Sequence, residues 1–191
     1  MAVRKMNKSD IVLVNADHPI DEHKRLDLIR IFDRQFVSYE AYRPFLDMYA
    51  QMKKEGLEPI VCSSYRSIEK QEDLFQGKCQ LYLHQGYALE QAQELASQWV
   101  ARPYCSEHHT GLAVDIVSKE NERLDDSQEQ TAVNQWLMKN SWKYGFILRY
   151  PRGKKEKTKV NYEPWHYRYV GKEHARLMYQ NDMTLEEYLG K

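Results

Sequence analysis

No stretch of the sequence approaches the ~20 consecutive apolar residues of a membrane span, which excludes an integral helical anchor within this chain. Net charge is absent as well. The 28 Lys plus Arg stand against 28 Asp plus Glu, so no long-range field draws the protein towards nucleic acid or an anionic membrane. Cysteine is scarce: Cys62, Cys79 and Cys105 cannot all pair with one another. Their spacing lacks the close pairs of a zinc ribbon or a redox motif, which leaves buried or idle thiols. No internal repeat or low-complexity tract is present, and this excludes solenoids and arrays. After the cationic start at Arg4, Lys5 and Lys8, only residues 11–14 are apolar, too few for the core of a signal peptide. Two locations follow as expectations: the cell envelope or exterior for a chain whose leader has been removed, and otherwise the cytoplasm.

What is present suits one globular unit over residues 1–191, with 1–10 as a flexible N-terminal segment. Apolar residues make up 42%, enough for a packed core, and 14 Tyr with 4 Trp suit a groove that grips small or peptidic ligands. A monomer is expected. Residues 11–14 read as a short strand closed by a turn at Asp17-His18-Pro19, beyond which the pattern turns helical. From Ser38 a helix carries Ala41, Phe45, Met48 and Met52 on one face and stops at Gly56. Pro59-Ile60-Val61-Cys62 is β-prone, and a helix starts near Ser67, so Arg66 sits at a strand-to-helix junction. Residues 68–100 read as helical with breaks at Gly77 and Gly86, and 131–144 as a further helix ended by Gly145. Residues 112–117, 146–150 and 166–170 read as strands. The basic run 152–159 reads as an exposed hairpin or loop, and Thr184 with Glu187 as a capping box. Helices mixed with short strands, without regular βαβ alternation, predict an α+β domain with a small antiparallel sheet flanked by helices.

Two segments carry chemistry. In Leu112-Ala-Val-Asp-Ile-Val117, Asp115 alternates into an apolar strand, where an unpaired carboxylate is costly and demands a cation, donors or a metal. In Glu163-Pro-Trp-His166, Pro164 keeps Glu163 out of helix, so Glu163 and His166 lie on a loop entering a strand and can share one cleft. With a histidine of the pair before the Thr110-Gly111 turn, two imidazoles and one carboxylate leave Zn²⁺ a fourth position for water, the pattern of a catalytic site. Glu163, unligated, is placed to take the water proton, and Arg66 to stabilise the oxyanion.

At these residues the chain resembles the D-alanyl-D-alanine carboxypeptidase family of the VanY type. The resemblance runs from about Ile11 to Tyr188. It includes Leu13-Val-Asn15 with Asp17-His-Pro19, Ser64-Tyr-Arg-Ser67 with Gln71, and Ser106-Glu-His108 with Thr110-Gly-Leu-Ala113 and Asp115. It continues through Phe146-Ile-Leu-Arg-Tyr-Pro151 and Glu163-Pro-Trp-His-Tyr-Arg-Tyr-Val-Gly171. It implies the zinc D-Ala-D-Ala peptidase (hedgehog-like) fold and one zinc per chain on His108, Asp115 and His166. Glu163 would be the base, Arg66 would meet the transition state or substrate, and Gln71 and Ser106 would line the substrate pocket. The implied partner is a peptidoglycan stem peptide losing its C-terminal D-amino acid by D,D- or L,D-carboxypeptidase action. The competing readings are a binding module that grips such peptides without cleaving them, and an endopeptidase with the same zinc chemistry. His109 stands where the family commonly has Gln, and Lys159 where it has Gly. Neither departure touches the ligand set, and His109 is expected beside the metal shell or at the rim, not within it.

Overall fold

The computed structural model describes residues 7–21 and 26–191. The expected flexible segment 1–10 lies mostly outside the described residues, and Lys8–Asp10 forms a single 3-10 turn. Ile11, Leu13 and Val14 are buried, yet residues 11–14 pair in no sheet; the expected strand is an extended segment held by its burial. Its turn does close as expected, with His18 Nδ1 3.0 Å from Asn15 Oδ1.

The expectation of helix beyond Pro19 is overturned over 28–38. Leu28–Phe32 (β1) and Gln35–Ser38 (β2) form an antiparallel hairpin. Ile29, Ile31, Phe32, Phe36 and Val37 are β-branched or aromatic, and that preference outweighs the helical spacing. Tyr39–Lys54 (α1) then buries Ala41, Phe45, Met48 and Met52, the face legible in its spacing. Pro59–Ser63 (β3) leads into Ile68–His84 (α2), whose Ser67 cap accepts from the Lys70 N–H. Gly77 does not break α2, because a glycine on an open helix face costs only about 1 kcal/mol and leaves the hydrogen-bond ladder intact. Leu89–Ser97 (α3) packs back on α2.

Ala113–Ser118 (β4) is buried along its whole length. Ala132–Asn140 (α4) tightens into a 3-10 turn over Ser141–Tyr144 before Gly145, so the expected single helix ends four residues early. Phe146–Leu148 (β5) follows, then Lys155–Thr158 (α5), a helical turn inside the expected loop. His166–Tyr169 (β6), Lys172–Gln180 (α6) and Leu185–Leu189 (α7) complete the chain. The Thr184–Glu187 capping box of α7 forms as anticipated, whereas α6 had no counterpart in the sequence reading.

Four strands pair antiparallel in the order β3-β4-β6-β5, so β4 and β6 are central and neither offers an edge. The main core lies between this sheet, α1 and α4, and includes Phe45, Met48, Met52, Val114, Ile116, Leu137 and Tyr167. A second cluster of Ile147, Val170, Ala175, Met178 and Leu185 seats the C-terminal helices. The hairpin locks onto the sheet at Gly111, where φ is +67° and an added Cβ would lie 2.8 Å from the Ser38 nitrogen. Only glycine fits, and that close approach holds the preceding turn in place.

Candidate active site

Register brings the site together. Asp115 on β4 pairs with His166 on β6, and Ser63 on β3 pairs with Asp115 from the other side. Chain that is remote in sequence meets across three adjacent strands. His108 arrives from the 3-10 turn Glu107–Thr110, which Ser106 caps through its hydroxyl oxygen. Gly111 ends that turn in the left-handed region and delivers the chain to β4.

Among the described residues, His108, Asp115 and His166 form the one group of three side chains able to hold a metal, with ligand atoms within 4.8 Å of one another. His108 Nε2 lies 3.1 Å from Asp115 Oδ2, and His166 Nδ1 lies 2.9 Å from Asp115 Oδ1. His108 Nδ1 donates to the Ser64 carbonyl at 2.7 Å, which leaves Nε2 with its lone pair turned inward. All three side chains are about 95% buried, where an acceptor set without a cation is costly. Two imidazoles and one carboxylate at this spacing fit Zn²⁺ with a position left over.

The remaining site residues surround this group. Glu163, on the loop before β6, places Oε2 3.9 Å from His166 Nδ1. Arg66, at the junction of β3 and α2, sets Nη2 3.7 Å from Asp115 Oδ2. Its guanidinium donates to Gln71 Oε1 at 2.8 Å and to Ser63 Oγ at 2.7 Å. Gln71, expected to line the substrate pocket, has no exposed surface, and its amide also donates to the Ala101 carbonyl at 2.6 Å. It stands behind Arg66 and reaches the site through that side chain. Ser106 is likewise buried, with its oxygen engaged as the cap of the His108 turn. His109 is not in the ligand group, and its Nδ1 donates to the Arg66 carbonyl at 2.8 Å. It supports Arg66, whereas the rim position is excluded by its burial.

Electrostatics divide these groups by duty. Burial would raise the Asp115 carboxyl, but His108 and His166 beside it hold it far below the ordinary carboxylate range. Burial pushes His108 down. His166 is driven the other way, to about 9, because hydrogen bonds to Asp115 and Glu107 outweigh its desolvation. Burial lifts Glu163 to about 8, with Asp115 adding to the rise and His166 opposing it.

Several contributors went unmarked as site residues in the sequence. Glu107, Arg149, Arg168 and Glu186 form a buried ionic lattice against the far side of His166, and the Tyr150 ring centroid lies 4.9 Å from that of His166. A signal existed: Arg149 and Arg168 interrupt apolar strands as Asp115 does, and an isolated charge there demands a partner.

Residues 34–172 match the family described as VanY, D-alanyl-D-alanine carboxypeptidase. A D-alanyl-D-alanine carboxypeptidase of Enterococcus faecalis (strain ATCC 700802 / V583) is 39% identical over 181 residues, covering 94% of this chain and 65% of the relative. The chain thus spans somewhat under two thirds of that relative's length. Among solved structures, the vancomycin resistance D,D-pentapeptidase VanY from a VanB-type cassette, in complex with Zn(II), superposes with a TM-score of 0.83. Identity is 39%, over 93% of this chain and 97% of that one. The LD-carboxypeptidase LdcB superposes with a TM-score of 0.81 at 37% identity, over 94% of this chain and 85% of that one. These likenesses bear out the α+β zinc-peptidase fold expected from the sequence.

Proposed function

The chain belongs to the D-alanyl-D-alanine carboxypeptidase family, and from that premise we propose that it is a zinc peptidase removing the C-terminal D-alanine of peptidoglycan stem peptides. The observation that carries the reading is the buried group of His108, Asp115 and His166 with Glu163 Oε2 3.9 Å from His166 Nδ1. His108 Nε2, His166 Nδ1 and an Asp115 oxygen would hold the zinc. When bound, zinc supplies Lewis-acid polarisation of the scissile carbonyl and makes the attacking water more acidic.

The chain's own residues do the rest. Glu163 takes the proton of the attacking water and returns it to the leaving amine nitrogen. In the metal-free chain burial lifts the Glu163 carboxyl to about 8, and a divalent cation beside it would favour the ionised form from which the cycle begins. Arg66 presents a guanidinium for the developing oxyanion or the terminal carboxylate, and Gln71 and Ser63 hold its planar fork in one orientation. A binding module would have no use for an unligated, buried Glu163 beside the ligands. Stem peptides lie in the cell envelope, which is where this reading has the chain act.

The test is to incubate the zinc-loaded chain with pentapeptide and tetrapeptide stems and follow release of one D-alanine by mass spectrometry. Glu163→Gln is expected to lower the rate by about 10²–10⁴-fold or more while one zinc per chain is retained. Undiminished turnover in that variant would sink the assignment. Solved neighbours of both the D,D and the LD kind resemble the chain. The stem that is trimmed therefore reads out the stereochemistry accepted at the penultimate residue.

A further inference from the structure

One buried carboxylate near the ligands is not itself a ligand. Glu107 is 1% exposed, and its two oxygens face different ways. Oε1 accepts from Arg149 Nε at 2.8 Å and from Arg168 Nη1 at 2.8 Å. Oε2 faces His166 Nε2 at 3.4 Å. The arginines are themselves committed. Arg149 makes a two-pronged pair with Glu186 at 2.9 and 2.6 Å, and Arg168 donates to the carbonyls of Val12 at 2.7 Å and Tyr169 at 3.1 Å. Glu107 can neither rotate nor swing towards the metal position without giving up its bonds to both guanidinium groups.

We infer that Glu107 is a positioning residue, which fixes the tautomer and ring orientation of His166 so that Nδ1 is the metal-binding atom. In the metal-free chain both ring nitrogens face carboxylates, Nδ1 donating to Asp115 Oδ1 at 2.9 Å and Nε2 to Glu107 Oε2 at 3.4 Å. A metal held by Asp115 and His108 would take the place of the Nδ1 hydrogen, and the carboxylate opposite Nε2 would keep the other hydrogen there. The ring of His108 stands 4.9 Å away, edge to face. His108 is fixed in the opposite sense by the Ser64 carbonyl on its Nδ1, so the two histidines offer opposite nitrogens to one point. Arg149 and Arg168 have a second effect: by saturating Oε1 with positive charge they keep Glu107 out of the ligand set. The inference rests on the zinc reading above.

Glu107→Gln separates positioning from packing. Two guanidinium groups repel an amide NH₂, so the amide oxygen faces the arginines and the NH₂ faces His166 Nε2. The hydrogen bond reverses, and the ring proton is driven onto Nδ1. Zinc affinity, measured by competition with a chelator, is expected to fall about 10–100-fold, as for losses of outer-shell partners generally. Glu186→Gln breaks the same lattice one link away without touching His166, and is expected to leave zinc affinity within about threefold of the starting chain. Thermal unfolding of the metal-free variants checks that both fold. In the unsubstituted zinc-loaded chain, nitrogen-15 NMR of His166 is expected to show Nε2 protonated and Nδ1 bare, a reading that stands even if Glu107→Gln fails to fold. The inference is overturned if Nδ1 carries the proton in that chain, if a folded Glu107→Gln protein keeps its zinc affinity, or if Glu186→Gln lowers it equally. If the unsubstituted chain binds no zinc at all, the reading of the site as a zinc centre falls first.

Discussion

Two buried charge clusters lie on either side of His166, and they are balanced differently. In the lattice, the Arg149 and Arg168 cations face the Glu107 and Glu186 carboxylates, each within 2.9 Å of a partner, and nothing further is needed. In the pocket, Asp115 and Glu163 face one cation among the described residues, Arg66, with ring nitrogens of both histidines turned inward. The lattice is complete by itself; the pocket asks for positive charge from outside. In the metal-free chain a proton supplies it, which is why His166 is held at about 9. The same low-dielectric interior thus yields a structural element where charges match and a binding site where they do not.

Opening the lattice is the most damaging way to test this contrast. Arg149→Met leaves Glu186 without its two-pronged partner and Glu107 with one arginine. Breaking a buried pair by removing one partner costs about 3–5 kcal/mol, which for a chain of this size is a melting-temperature loss on the order of 10 °C in calorimetry. A loss of 1 or 2 °C would mean that the lattice is not the self-sufficient element its geometry describes.

A smaller effect tests the pocket. His166 is raised above its unfolded value, so its protonated form stabilises the metal-free fold below the unfolded pKa, and that contribution is lost as pH rises through about 9. Zinc must displace this proton. Apparent zinc affinity is therefore expected to climb about tenfold per pH unit from 7 towards 9 and then flatten, with proton release seen by calorimetry in buffers of different ionisation heat. A flat profile would show that no proton holds the metal's place.

The smallest effect belongs to the surface. Arg152 pairs with Asp126 at 3.2 Å and Glu129 at 2.7 Å, but its side chain is 60% exposed. Arg152→Met, the same replacement as in the lattice, is expected to cost no more than about 1 kcal/mol in denaturant unfolding. A cost equal to that of Arg149→Met would erase the distinction between buried and exposed pairs on which the comparison rests.

How much of this was legible in the sequence varied with the range of the forces at work. The helical face of Ala41, Phe45, Met48 and Met52 and the Thr184–Glu187 cap are set by neighbours within a turn, and both formed as read. The β1–β2 hairpin was missed because the strands take their partners from each other and from Gly111, not from local spacing. Gln71 has the motif position of a pocket residue, whereas its side chain is spent on Arg66 and Ala101. Asp115 is legible because a lone carboxylate in an apolar strand needs a partner, and Arg149 and Arg168 carry the same signal for the lattice.

The identities and order of His108, Asp115, Glu163 and His166 were determined by the sequence alone, since the donor chemistry of a side chain does not depend on where the chain goes. Which nitrogen each histidine presents, and which carboxylate stays outside the ligand set, was decided only by the tertiary structure. The physical reason is that a tautomer and a charge balance are properties of partners. The Ser64 carbonyl and the Glu107 carboxylate take up their places opposite the two rings only once four antiparallel strands and the last helix have packed.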